Sequence, residues 1–206
     1  MAITINGDGT LTGISVGGLP DGIVDTDMLA TDAVSAAKLQ NTAIVAGDLP
    51  SGTVIQVKQT VKTDTATHTS SSSSFSSDIM TVTITPTSTD NKILIIGNFS
   101  IGADTSQRCG IRLTNGGSVI NGATADAAGS RVRASCAAAP AGNNNSCIPV
   151  SFHFLHSPAS TSEQTYGMQM SREGNGDVHI NRSHGDTDNN TLYRTASFLT
   201  VMEIVD

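Results

Sequence analysis

From residue 53 onward, apolar and polar positions alternate with a period of two, the pattern of β-strands half buried in a sheet. Residues 53–61 place Ile55, Val57 and Val61 on one face. In 79–85, Met80, Val82 and Ile84 alternate with Thr81, Thr83 and Thr85. Further strands follow at Cys109, Ile111 and Leu113; at Ile148, Val150, Phe152 and Phe154; at Tyr166, Met168 and Met170; and at Val178 and Ile180. Two stretches break the rule. Residues 92–96 are apolar on both faces and continue through Phe99 and Ile101, and 198–205 are apolar on both faces apart from Thr200 and Glu203. A strand with two apolar faces in a half-exposed sheet calls for a second partner, such as a subunit interface. With turn signals at Asn115-Gly116-Gly117 and Asn175-Gly176, about eight strands are expected, and the fold class is mainly β, an antiparallel β-sandwich or jelly roll. Two polar insertions, 121–146 and 182–190, interrupt it. Long loops on a rigid sandwich are where recognition concentrates, so Asn143, Asn144, Asn145, His184, Asp186, Asp188 and Asn190 are the candidates for surface contact.

The first 51 residues follow a different rhythm. Ile14 and Leu19 are five apart, as are Val24 and Leu29, Val34 and Leu39, and Ile44 and Leu49, and successive pairs begin ten residues apart. Such units cannot bury their apolar positions alone and need neighbours. The simplest neighbours are copies of the same chain around a symmetry axis. A short helix is expected within 27–39, capped by Asp27 with Met28, Leu29, Val34 and Ala37 on one face. Between the two regions, 63–77 with its run of serines reads as a solvated loop. The expected division is therefore a stem segment, 1–51, and a β-sandwich, 52–206.

Composition sharpens the split. All 7 aromatic residues (5 Phe, 2 Tyr, no Trp) lie after residue 74, so the stem lacks the side chains to offset its own ordering entropy. Charged residues are only 14% of the chain and aromatics 3%, a surface made of Thr, Ser, Asn and Gly rather than the Glu, Lys and Arg of helical enzymes. A net charge of −7 argues against nucleic acid, and the absence of a long apolar run argues against membrane insertion. Three cysteines, Cys109, Cys136 and Cys147, are too few for a disulfide framework; buried free thiols and a Cys136–Cys147 bridge are the alternatives. Chemistry is sparse. His153 and His156 fall on opposite faces of a strand, and His179 alternates with Val178 and Ile180 and is expected to face water. The stretch 185–190 offers oxygen ligands without the full calcium-loop pattern. Only three Glu are present, a poor basis for paired-carboxylate catalysis. No catalytic, metal or cofactor site is expected.

The opening MAITINGDGTLTGISVGGLPDG resembles the N-termini of tail-fibre and related virion proteins of tailed bacteriophages, especially cyanophages and marine phages. The units TDMLATDAVSAAKL resemble their spacer repeats, and SGTVIQVKQT, ITPTSTDNKILIIG and FLTVMEIVD resemble the β-rich domain that follows. The resemblance implies a homotrimer, with an N-terminus docked on a tail or baseplate adaptor and a C-terminal knob meeting a host-surface glycan or protein. A capsid decoration protein bound to capsid protein is the second expectation, a lectin-like soluble module the third.

Overall fold

The computed structural model describes residues 4–5, 7, 11–12, 29, 31, 33–35, 39, 44–69, 73–104, 107–139, 144–174 and 176–206. The chain divides into two compact units, Met1–Val45 and Ala46–Asp206. In the first, β1 (Thr4–Ile5) and β2 (Leu11–Thr12) pair antiparallel. Of the repeat, Leu29, Val34, Leu39 and Ile44 are exposed, whereas Ile14, Leu19 and Val24 lie outside the described residues. Within 27–39 the described residues Leu29, Thr31, 33–35 and Leu39 are not helical, and Asp27, Met28 and Ala37 of the expected helix lie outside the described residues. Leu49 follows a short 3-10 turn, Ala46–Asp48, in the second unit.

The second unit holds two antiparallel sheets around one core. In the first sheet β3 (Val54–Lys62) pairs with β13 (Ser197–Ile204), which pairs with β6 (Lys92–Ala103), and β10 (Ile148–His156) lies along the far edge of β6. The near edge of β6 is shared. β13 covers it as far as Asn98, and β12 (Val178–Ile180) takes over from Ile101, pairing in turn with β4 (Ala66–His68). In the second sheet, β5 (Met80–Ile84), β11 (Gln164–Arg172) and β7 (Cys109–Asn115) are neighbours. The outer edge of β7 carries β8 (Ser118–Val119) and β9 (Cys136–Ala138). Gly116 and Gly117 turn the chain between β7 and β8 with φ of 57° and 76°, the conformation a two-residue hairpin loop demands.

Alternation sorts the side chains. Ile93, Ile95, Phe99 and Ile101 of the first sheet and Ile111, Leu113, Met168 and Met170 of the second are fully buried between the sheets. Gly97 is required where it stands, because an added Cβ would lie 2.5 Å from the Phe152 ring, which packs at 5.4 Å from that of Phe99. The expected solvated loop at 63–77 is instead partly structured. It contains β4, and Ser73 and Ser76 donate backbone hydrogen bonds to Arg172 and Met170 of β11. Pairing of β5 with β11 ends at Met168, and this segment takes up the same edge of β11 beyond it. Cys109, Cys136 and Cys147 are free thiols, with no Cys136–Cys147 bridge.

The opposite face of the first sheet is also apolar. Cross-strand register sets three rows of four on it: Val61, Phe198, Asn98, Ser151; Gln59, Thr200, Ile96, His153; and Val57, Met202, Leu94, Leu155. Val57 and Val61, the apolar face of β3 in the sequence, thus point away from the core. Val57, Val61, Ile96, Leu155 and Phe198 are 38–55% exposed.

Two buried polar clusters tie the ends of the sheet. Asn181, just beyond β12 and fully buried with φ of 65°, occupies the left-handed region that Asn tolerates. Its Nδ2 donates to the carbonyls of Lys62 (2.8 Å) and Asp64 (2.9 Å), and its Oδ1 accepts from Ser197 Oγ (2.7 Å). Its backbone N–H donates to Ser100 and its carbonyl accepts from Thr195. At the other end, the fully buried Glu203 accepts from the Thr87 N–H (2.7 Å) and hydroxyl (2.8 Å), Asn91 Nδ2 (2.6 Å) and Gln56 Nε2 (2.6 Å). Burial pushes this carboxyl up, but donation from Asn91, Thr87 and Gln56 more than offsets it and holds the pKa below its ordinary value.

Asn181→Gly keeps the backbone conformation and removes the side-chain bonds, so it is expected to cost about 2–4 kcal/mol in urea denaturation, from buried groups left unpaired. Glu203 binds its proton more weakly folded than unfolded. Its stabilisation is therefore complete above the unfolded carboxyl pKa of about 4.3 and is lost as pH falls through the lower folded value. Glu203→Gln is expected to lower stability by about 2 kcal/mol at neutral pH, and the gap between variant and wild type should close below about pH 4. A gap that persists at low pH would contradict this role.

Candidate functional site

At the β12 end of the first sheet, its outer face is covered by the loop that runs from Arg182 to Ala196. The loop can lie there because of Gly102 in β6: an added Cβ would sit on the Arg182 carbonyl oxygen and 2.9 Å from Ser183 Cα. This corrects the expectation for His179. Paired with Gly102 in register, it is 2% exposed, covered by this loop instead of water. Its Nδ1 lies 3.0 Å from Thr67 Oγ1 and its Nε2 3.1 Å from His184 Nδ1, with the two rings 5.3 Å apart. Arg182 donates to Thr67 Oγ1 at 3.3 Å. Burial, then the positive charge of Arg182 and the His184 ring, push the His179 pKa down to about 4, against the opposing pull of Asp177 and Asp186.

The loop has its own internal frame. Asp186 is held between Arg182 (3.3 Å) and Arg194 (2.8 Å), so its carboxylate is engaged by two guanidiniums. Asn189 Oδ1 accepts from the backbone and hydroxyl of Thr191 at 3.0 and 3.1 Å, a local turn that a short amide side chain favours. Among the described residues no group of three or more His, Cys, Asp or Glu is arranged to hold a metal.

The two insertions singled out in the sequence meet here. Gly185 N–H donates to the Asn144 carbonyl at 2.8 Å, and an added Cβ on Gly185 would come within 2.7 Å of Asn145 Oδ1. The structure therefore brings together Asn144, Asn145, His184 and Asp186, while Asp188 and Asn190 stand exposed on the loop rim. Asn143 lies outside the described residues. Between the segments opens a cleft of about 520 Å³ lined by Asn98, Ser100, Asn145, Pro149, Tyr193 and Thr195 among others. A second, of about 240 Å³, lies among Asp186, Asp188, Asn189, Tyr193 and Arg194.

Tyr193 borders both clefts and is 75% exposed. Composition had not marked it as part of the site; the signal was a lone aromatic in an otherwise polar loop. In the wall of the larger cleft, Thr195 Oγ1 is one of two buried side-chain N or O atoms among the described residues without a hydrogen-bond partner, a group for which a water or ligand hydroxyl would be a suitable partner. Cys147 in the same wall has its thiol pKa raised, chiefly by burial.

No family model and no curated protein matches the chain. What the arrangement can do follows from its chemistry. A flat aromatic ring flanked by amides, carboxylates and guanidiniums suits a hydroxyl-rich ligand, offering an apolar face for C–H groups and forked polar partners for hydroxyls.

His179 is neutral when folded, down to a pKa of about 4, while the unfolded imidazole takes up its proton near 6.5. The folded pKa is the lower one. Stability should thus be flat above about pH 6.5 and fall by up to about 1.4 kcal/mol per pH unit as pH drops towards 4. Urea midpoints across that range, compared with His179→Gln, would test it. The same slope in the variant would assign the loss to other groups.

Proposed function

We propose that this protein is a structural component of a phage virion, a short trimeric tail fibre whose N-terminal stem anchors it and whose β-sandwich contacts a host-surface glycan through the Tyr193 site. The virion assignment rests on the resemblance of the opening segment and its decapeptide units. The contact assignment rests on one observation: the two polar insertions converge around an exposed aromatic ring bordered by two clefts. A shallow site of this kind binds weakly on its own. Repeated on three chains and several fibres, it becomes strong adhesion through effective concentration rather than through any single contact. The low charge and the Thr- and Asn-rich surface fit contact with a neutral, hydrated saccharide coat, since little electrostatic desolvation stands in the way.

Tyr193→Ala particles are expected to carry a normal number of copies of the protein yet adsorb to host cells at least tenfold more slowly, because avidity multiplies a modest loss at each site. Asn145→Ala should reduce adsorption in the same direction. Unchanged adsorption in both variants would reject the site. Counting copies per particle by quantitative mass spectrometry tests the location: tens fit a tail fibre, and hundreds would move the protein to the capsid exterior as a decoration protein.

A further inference from the structure

We infer that the second sheet carries a separate binding site for an acidic sugar, in the arginine-lined cleft where β7 starts and β11 ends. Positive charge is unevenly spread along the chain. Of its seven arginines, five (Arg108, Arg112, Arg131, Arg133 and Arg172) lie on or beside β7, at the end of β11 or in the segment that leads into β9. Three of them, Arg108, Arg131 and Arg172, line one cleft of about 430 Å³ together with a single acid, Glu173. Three guanidiniums against one carboxylate concentrate positive potential in a molecule whose net charge is −7. The cleft shares no lining residue with either cleft beside Tyr193, so it stands or falls independently of that site.

Part of that charge is already engaged. Arg108 is held by Glu173 at 2.7 Å, and Arg172 donates to the Gly176 carbonyl at 2.8 Å and faces Asp177 at 4.0 Å. Arg131 differs. It is exposed and forms no ion pair among the described residues, where its guanidinium donates to the Ala128 carbonyl at 3.2 Å. The ten residues of this unit that lie outside the described ones include no Asp or Glu, so the unit holds no further carboxylate for it. A guanidinium binds a carboxylate or sulfate through two parallel N–H bonds. Hydroxyls complete the lining. Ser73 is placed by its N–H, which donates to the Arg172 carbonyl at 2.8 Å. At the floor Ser171 is 4% exposed, and among the described residues its hydroxyl has one long bond, 3.4 Å to the Gly110 carbonyl. A ligand hydroxyl would be a better partner for it. Gly110 leaves that hydroxyl room, because an added Cβ would come within 2.7 Å of Ser171 Oγ.

Three features select an acidic sugar among anions. The volume of about 430 Å³ falls within the roughly 300–1,000 Å³ of small-ligand sites. Serine hydroxyls beside guanidiniums match a ring that carries hydroxyls and an acidic group. A long, dense polyanion such as nucleic acid would meet the negative charge of the rest of the molecule. It would also lack a ring to stack on, because Phe75 beside the cleft is already covered by the Arg112 guanidinium at 3.9 Å. The group bound is the acid of a saccharide, as a uronate carboxylate or a sugar sulfate.

The test is titration of the full chain with galacturonic acid, galactose 6-sulfate, galactose and sodium sulfate, followed by NMR of the arginine side chains. Wild type is expected to bind at least one acidic sugar about tenfold more tightly than galactose, with the Arg131 Nε–H signal shifting. The better of the two acidic sugars tells whether carboxylate or sulfate is the preferred group. Arg131→Gln is expected to weaken that binding about tenfold, and Glu173→Gln to strengthen it about threefold by removing the competing carboxylate. A gain of affinity cannot come from misfolding, so the second variant guards the first. Lys58→Gln removes the same charge from an exposed position of β3 and should bind like wild type. Failure of both acidic sugars to bind, galactose binding as tightly as they do, or equal losses in Arg131→Gln and Lys58→Gln would overturn the site. Sulfate ion binding as tightly as galactose 6-sulfate would overturn the assignment to a sugar.

Discussion

One edge of a single long strand organises the first sheet. β6 runs for twelve residues, longer than either strand that pairs with its near edge, so β13 and β12 must follow one another along it and a gap has to be bridged between them. Asn181 bridges it. A buried residue with positive φ would ordinarily be glycine, but glycine could not also gather the Lys62 and Asp64 carbonyls and the Ser197 hydroxyl. The amide satisfies both demands, since Asn tolerates the left-handed region and has a donor and an acceptor to spend. With the gap closed, the chain leaving β12 starts out across Gly102, and the loop from Arg182 to Ala196 is set on the outer face.

Electrostatics follow the same economy. The chain has few charges; Asp186 is paired with two guanidiniums, whereas the buried Glu203 is held by hydrogen bonds rather than by an opposite charge. Glu203 is ringed by amides, a hydroxyl and a backbone N–H, and His179 is kept neutral between Thr67 and His184. Neither arrangement depends on salt in the way an exposed ion pair does. Both make the fold sensitive to acid, through opposite mechanisms: the carboxylate loses bonds when it gains a proton, and the imidazole resists gaining one.

Much of this was legible in the sequence. The alternation in 79–85, the β7 and β11 cores and the Gly116-Gly117 hairpin stand where the period of two puts them, and the apolar doubling of β6 and β13 did mark a face beyond the core. Periodicity says only which side chains share a face, however, and not which face is inside. Val57 and Val61 were grouped correctly and lie outside. The site was half legible. Asn144, Asn145, His184 and Asp186 were found as polar loop residues, but their meeting depends on Gly102 letting one backbone cross another, a contact without local signature. Tyr193 was missed because a single exposed aromatic has no spacing to read. His179 was misjudged for a related reason: a strand's alternation is blind to a loop that folds over it.

The position of β13 carries a consequence for how the molecule is made. It is the final strand of the unit, yet it lies between β3, the first, and β6, with Ile204 opposite Val54. During synthesis the ribosome therefore releases β3 and β6 long before the strand that joins them exists, and both wait with unpaired edges and apolar flanks. Closure of so long a loop is slow. Until then the nascent unit keeps those edges open, and residues 197–204 complete the sheet only after nearly all of this unit has been translated.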